Sequence, residues 1–236
     1  MTSVLVAGAA GGIGEGVVRA LLRRAGVRVF ATSRDPARLD ALTAGLDADV
    51  RSRVTPIAGN AGDFAGATQI AEQIASLGGA DAAVASLGRG DWTSGPTLAL
   101  APAEWTAVLD EMLTAHFAFA RAIVPLLAVR SGSVYLSLGG GAAFAPMPNA
   151  GLMSVAAAGQ AMLTRVLARE RGDAPPRIIE LVVNGAITTR AERDDVGEVV
   201  AELVLHGATT WTALRVDGAL LTMDEKAAAP GAGEPD

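Results

Sequence analysis

Residues 4–16 read "VLVAGAAGGIGEG". Val4, Leu5, Val6 and Ala7 form an unbroken apolar run, the pattern of a parallel strand covered on both faces. Gly8, Gly12 and Gly14 follow at once. A glycine directly after a strand permits a tight turn. One at the loop's crown lets backbone N–H groups approach a pyrophosphate, and one in the next helix lets it pack on the sheet. The helix N-terminus adds free N–H donors and partial positive charge. The stretch therefore predicts a strand, a phosphate-holding loop and a helix, with Gly8, Gly12, Ile13 and Gly14 at the ligand. A purely steric glycine turn is the competing reading. A secretory apolar region is not expected, because no basic segment precedes the run and Glu15 and Arg19 follow it directly.

The same alternation continues outward. Strands are expected at Val4–Ala7, Val27–Thr32, Val54–Ala58, Ala82–Ala85, Ser133–Ser137, Ile178–Val183 and Leu214–Val216. Helices are expected at Gly12–Ala25, Pro36–Ala44, Phe64–Leu77, Pro102–Val129, Asn149–Arg171 and Val196–His206, with helix-start signals at Asp35-Pro36 and Asp63. This predicts an α/β Rossmann-type doubly wound fold of about seven parallel strands flanked by helices on both faces. A single dinucleotide-binding domain is expected over 1–226. The Gly/Pro-rich acidic stretch 227–236 is expected to be a disordered tail.

Composition narrows the partners. The chain has 236 residues, half of them apolar, enough for a sizeable core. A net charge of −6 and the lack of a basic stripe argue against nucleic acid. With no cysteine there is no disulfide, thiol nucleophile or cysteine metal site, and the two histidines, His116 and His206, lack metal-pair spacing. No uncharged apolar run is long enough to span a membrane, so a soluble cytoplasmic protein is expected.

The second strand ends in "FATSRDP", residues 30–36. An adenosine ribose should lie at this end. An acidic residue there would bond a free 2′-hydroxyl. The chain offers Thr32, Ser33 and Arg34 instead, and a guanidinium suits a 2′-phosphate. NADP(H) is favoured over NAD(H), against the alternative of a solvated arginine at a helix start.

These residues resemble the short-chain dehydrogenase/reductase family over nearly the whole chain. The family's "TGxxxGIG" appears as "AGAAGGIG" (7–14), and its "NNAG" as "ASLG" (85–88), which carries Ser86 and Gly88. Its "PGxIxT" appears as "NGAITT" (184–189), which carries Ile187 and Thr189. "LTRVLARE" (163–170) resembles the end of its next helix and "LRVDGALL" (214–221) its last strand. The acidic residue that contacts adenine in the family falls at Asn60, with Ala61 beside it.

The resemblance also implies an Asn-Ser-Tyr-Lys catalytic set, and here the chain departs from it. The Tyr position falls on Met153, the Lys position on Ala157, the Asn position on Met112 and the Ser position on Gly140. No proton can be donated by a thioether or oriented by a methyl group. The family's segment over the substrate is shortened to "RAERDD" (190–195), so the cleft is expected to be open or covered by another chain. As possible replacements, Tyr135 is read as a core residue and Ser137 as three residues short of the serine position. His116, one helical turn after Met112, could face the cleft, but is expected on a helix surface or subunit contact.

Three functions remain open. The first is an atypical NADP(H)-linked oxidoreductase with impaired carbonyl reduction. The second is a non-redox cyclase, lyase or dehydratase acting on a small apolar organic substrate. The third is a catalytically silent NADP(H)-binding or partner subunit. The resemblance implies a homodimer or homotetramer, or a hetero-oligomer with an active homologue.

Overall fold

The apolar run at the N-terminus becomes β1 (Thr2–Ala7), the middle of a parallel sheet. The computed structural model describes residues 1–88, 95–206, 213–217 and 220–222. β1 pairs on one side with β2 (Val27–Ser33) and on the other with β4 (Ala82–Ala85). The strand order is β3-β2-β1-β4-β5-β6-β7-β8, with β3 Val54–Ala58, β5 Val134–Gly140, β6 Arg177–Asn184 and β7 Ala213–Asp217. All seven expected strands form and run parallel. An eighth, β8 (Leu220–Thr222), was not expected and pairs antiparallel to β7. The chain order reverses between β1 and β4, so a crevice opens at their C-terminal ends. The expected tail at 227–236 lies outside the described residues.

Strand residues alternate between two apolar layers. Val4, Val6, Val29, Val84 and Leu136 face α1 (Gly12–Leu22), α2 (Pro36–Ala44) and α8 (Arg190–Leu205). Leu5, Phe30, Ala83 and Tyr135 face α4 (Phe64–Ser76) and α6 (Ala115–Ala128). A four-residue α3 (Ala48–Arg51) precedes β3. The helix expected as one piece over Pro102–Val129 is instead α5 (Pro102–Leu109), a π-helical turn at Asp110–Thr114, and α6. The wide turn carries Met112 to the cleft wall. α7 (Gly151–Arg171) packs on β5 and β6. The 102–128 helical run and α7 are long and apolar enough to cross a membrane, but each lies against the sheet with part of its surface buried.

The last long helix departs most from expectation. Residues 190–195 were expected to separate Thr189 from a helix starting at Val196, but they are themselves helical. Thr189 Oγ1 accepts from Glu192 N at 3.2 Å, and the Glu192 carboxylate accepts from Thr189 N at 2.8 Å. This capping box satisfies otherwise orphaned N–H groups and starts the helix at Arg190. α8 then crosses α1 in direct main-chain contact. A Cβ on Gly197 would stand 2.3 Å from the Gly16 carbonyl oxygen, and one on Gly16 would stand 2.1 Å from that of Arg193. Ion pairs frame the crossing, among them Arg19–Asp194 at 2.7 Å and Arg24–Glu202 at 2.8 Å.

Candidate cofactor cleft

The cleft runs along the C-terminal ends of β1 to β6 as two joined lobes of about 520 and 690 Å³, with Gly11, Ser86, Leu87 and Gly88 common to both. Gly8 turns the chain out of β1 at φ +71°, and a Cβ there would stand 2.0 Å from the Ser86 carbonyl oxygen. The loop at Gly8 and the "ASLG" segment are therefore in contact. Gly12 and Ile13 line the second lobe. Gly14 does not line either lobe. It packs against the loop's own Gly8 carbonyl rather than on the sheet, which corrects the role expected for it. Gly11 caps α1 without a side-chain bond, so no side chain competes for the first N–H groups of the helix.

The first lobe lies at the C-terminal ends of β2 and β3. Arg34, Asn60 and Ala61 all line it, as expected. Arg38, in the first turn of α2, adds a second guanidinium that was not anticipated. Asn60 Oδ1 accepts from Gly62 N at 3.1 Å, which shapes the turn below the lobe. Thr32 lines the same lobe, and its Oγ1 is buried with no hydrogen-bond partner. A buried hydroxyl of this kind calls for a partner from a ligand or a water.

The second lobe is where a nicotinamide ring would reach a substrate. Met112 and Gly140 line it, but Met153 and Ala157 do not. Met153 is buried behind Met112, in an apolar cluster with Val108, Leu152 and Ala156. Tyr135, the chain's single tyrosine, is a core residue as expected, with its ring 6.0 Å from that of Phe119. Burial raises its phenol above the ordinary value of 10.0. The single lysine, Lys226, lies outside the described residues.

His116 is not the surface or contact residue expected from its helix position. It is buried, with Nε2 3.2 Å from the Leu87 carbonyl oxygen and Nδ1 3.3 Å from Ser137 Oγ. Gln160 Nε2 donates to Ser137 Oγ at 3.2 Å and to the Leu138 carbonyl at 2.6 Å. Main-chain carbonyls at both ends fix every direction in this series. Leu87 O can only accept, so His116 carries its proton on Nε2 and Nδ1 accepts from Ser137. Ser137 Oγ then accepts from Gln160, whose amide nitrogen is fully committed. Gln160 itself lines the second lobe. Desolvation lowers the His116 pKa to about 4, partly opposed by the Leu87 carbonyl. At neutral pH His116 is uncharged, so this set holds no acid.

Ile187 and Thr188 line the lobe, whereas Thr189 is spent on capping α8 and does not line it. With α8 beginning at Arg190, no loop is left to form a lid between Thr189 and the helix. Arg193, in the first turns of α8, lines the lobe opposite Gly12. A third hollow of about 270 Å³, walled by Ala145, Met147, Val183 and neighbours, continues the cleft outward. No cluster of metal-ligating side chains occurs among the described residues.

A parallel sheet that reverses direction at a glycine turn, with a cleft along its strand ends, defines a Rossmann-type dinucleotide-binding protein. A family model described as enoyl-(acyl carrier protein) reductase matches residues 8–218, and the chain belongs to the short-chain dehydrogenase/reductase family of oxidoreductases. No curated protein matches the sequence. Among solved structures, a short-chain dehydrogenase from Mycobacterium avium is 21% identical with a TM-score of 0.81, covering 100% of this chain and 87% of its own. A metagenomic short-chain oxidoreductase in complex with NADP is 24% identical with a TM-score of 0.77, covering 91% and 96%. An alcohol dehydrogenase from the archaeon Thermococcus sibiricus, complexed with 5-hydroxy-NADP, is 19% identical with a TM-score of 0.79, covering 92% and 96%. At these identities the likeness is one of fold.

Proposed function

We propose that this chain is an atypical NADP(H)-binding oxidoreductase of its family, with ordinary carbonyl reduction severely impaired. Arg34 and Arg38 would hold the 2′-phosphate, Thr32 and Asn60 the adenosine, and the α1 N-terminus the diphosphate. Solved relatives in complex with NADP and with 5-hydroxy-NADP support this choice of cofactor. Bound NADPH supplies a hydride. What carries the proposal is that the described side chains around the second lobe offer no proton donor of the family's kind. The Asn-Ser-Tyr-Lys positions hold Met112, Gly140, Met153 and Ala157, and His116, beneath the lobe, is buried and neutral. A missing general acid costs about 10² to 10⁴-fold. A missing polarising donor costs roughly a further 10² to 10³-fold, though such losses are not additive. The lobe suits a small apolar molecule between Met112, Leu138 and Val183. The test is a binding titration with NADPH and NADH, on wild type and Arg34→Ala. Tighter NADPH binding that is lost in the variant supports the proposal. Equal binding of both cofactors, unchanged in the variant, contradicts it.

One observation favours a second reading, a catalytically silent subunit in a homo- or hetero-oligomer. Val155, Ala158, Met162 and Val166 form an exposed stripe on α7 at helical spacing, and Phe117 is exposed on α6. A second copy or an active homologue would cover this stripe. Sedimentation of wild type against Met162→Glu distinguishes the two, since a wild-type monomer would dismiss the subunit.

A further inference from the structure

The capping box and the Gly16–Gly197 contact together bring Arg193 to the phosphate loop. Starting α8 at Arg190 places residue 193 in its opening turns, and the close helix crossing presses those turns against α1. The Arg193 Nε and Cζ atoms stand 3.3 and 3.5 Å from where a Cβ on Gly12 would be. Any side chain at position 12 would meet the guanidinium.

The surroundings leave this cation without an anion. The Glu192 carboxylate is held by the Thr188 and Thr189 N–H groups, and Asp194 pairs with Arg19. Arg193 Nη2 donates only to the Thr188 carbonyl, at 3.3 Å, and Nε is buried with no partner. No carboxylate among the described residues pairs with Arg193. Leaving a charged donor buried and unsatisfied is costly. An anion lying between the guanidinium and the first N–H groups of α1 would satisfy both.

We propose that Arg193 is a diphosphate-binding residue, holding the bridging phosphates of the dinucleotide together with the glycine loop it lies against. This rests on the NADP(H) reading and deepens it. α8 takes the place of the lid at this point, and the cofactor is clasped by a helix rather than a loop. Arg34 and Arg193 then divide the ligand between them, the 2′-phosphate to the first and the diphosphate to the second.

The test is calorimetric. Wild type, Arg193→Met and Arg193→Lys are titrated with NADPH, ADP-ribose and adenosine 2′-monophosphate, which has no diphosphate. Arg193→Met should weaken NADPH and ADP-ribose by roughly tenfold or more and leave adenosine 2′-monophosphate unchanged. Arg193→Lys should recover part of the loss. On wild type, inorganic pyrophosphate should compete with ADP-ribose and not with adenosine 2′-monophosphate, a result that requires no variant to fold. Undiminished ADP-ribose binding by a folded Arg193→Met, or a lack of pyrophosphate competition on wild type, would overturn the assignment while leaving the NADP(H) reading intact. Wild type that binds none of the nucleotides would instead overturn that reading and this one together.

Discussion

The Nδ1 of His116 lies 3.3 Å from the Ser137 hydroxyl, inside a hydrogen-bonded series that runs from the Leu87 carbonyl to the Leu138 carbonyl. This pairing puts a polar cluster under the wall of the second lobe and commits its donors to structure. Gly139 and Gly140 uncover it from the cleft side, and a Cβ on Gly139 would stand 3.6 Å from the Gln160 amide nitrogen.

Burial of His116 makes stability depend on acid pH. Its folded pKa, about 4, lies below the ordinary 6.5, so between these values the unfolded chain binds more protons. The stabilisation is complete above pH 6.5 and is lost as pH falls through about 4. Its size is about 3 kcal/mol. Urea denaturation across this range should show the slope in wild type. In His116→Leu the slope should flatten, although the overall stability should be lower because Ser137 and Leu87 lose a partner.

Gly16→Ala and Gly197→Ala should each loosen the α1–α8 crossing. The new methyl groups would stand 2.1 and 2.3 Å from main-chain oxygens, which cannot move aside without shifting a helix. A loss of about 2 kcal/mol or more is expected in chemical denaturation. Weaker NADPH binding should accompany it, because the same crossing positions Arg193.

Thr189→Ala should leave the fold intact and fray the start of α8. The lost cap corresponds to about 1 kcal/mol. Hydrogen exchange at residues 190–193 should rise while exchange in β1 and β4 stays slow.

Arg38→Ala should weaken NADPH binding in the same direction as Arg34→Ala and leave NADH binding little changed. Both guanidiniums line the adenosine lobe, and only NADPH carries a 2′-phosphate for them. An equal effect on both cofactors would remove the 2′-phosphate role.

The sheet was legible because its strands are short unbroken apolar runs. Val54–Ala58 and Ala82–Ala85 can be placed to the residue from this pattern alone. β8 was not, because three residues carry too little periodicity. The α8 start was written in the sequence as Thr189-x-x-Glu192, a capping-box spacing, but the charged run "RAERDD" masks it as a loop. Gly8, Arg34 and Ile187 could be assigned to the cleft because local motifs carry them. Arg193 and Gln160 could not, since one reaches the cleft through a helix crossing and the other through contact with β5. The burial of His116 likewise depends on partners 21 and 29 residues away.

The central proposal is that the cleft accepts NADPH but that its described residues hold no group that can complete a carbonyl reduction with a proton. The most direct measurement mixes the protein with saturating NADPH and a panel of aldehydes, ketones and quinones, following cofactor fluorescence for binding and nicotinamide absorbance for oxidation. The account predicts saturable binding with oxidation at least about 10³-fold slower than an ordinary turnover of roughly 10 s⁻¹. Oxidation of bound NADPH by a simple ketone at about 10 s⁻¹ would contradict it.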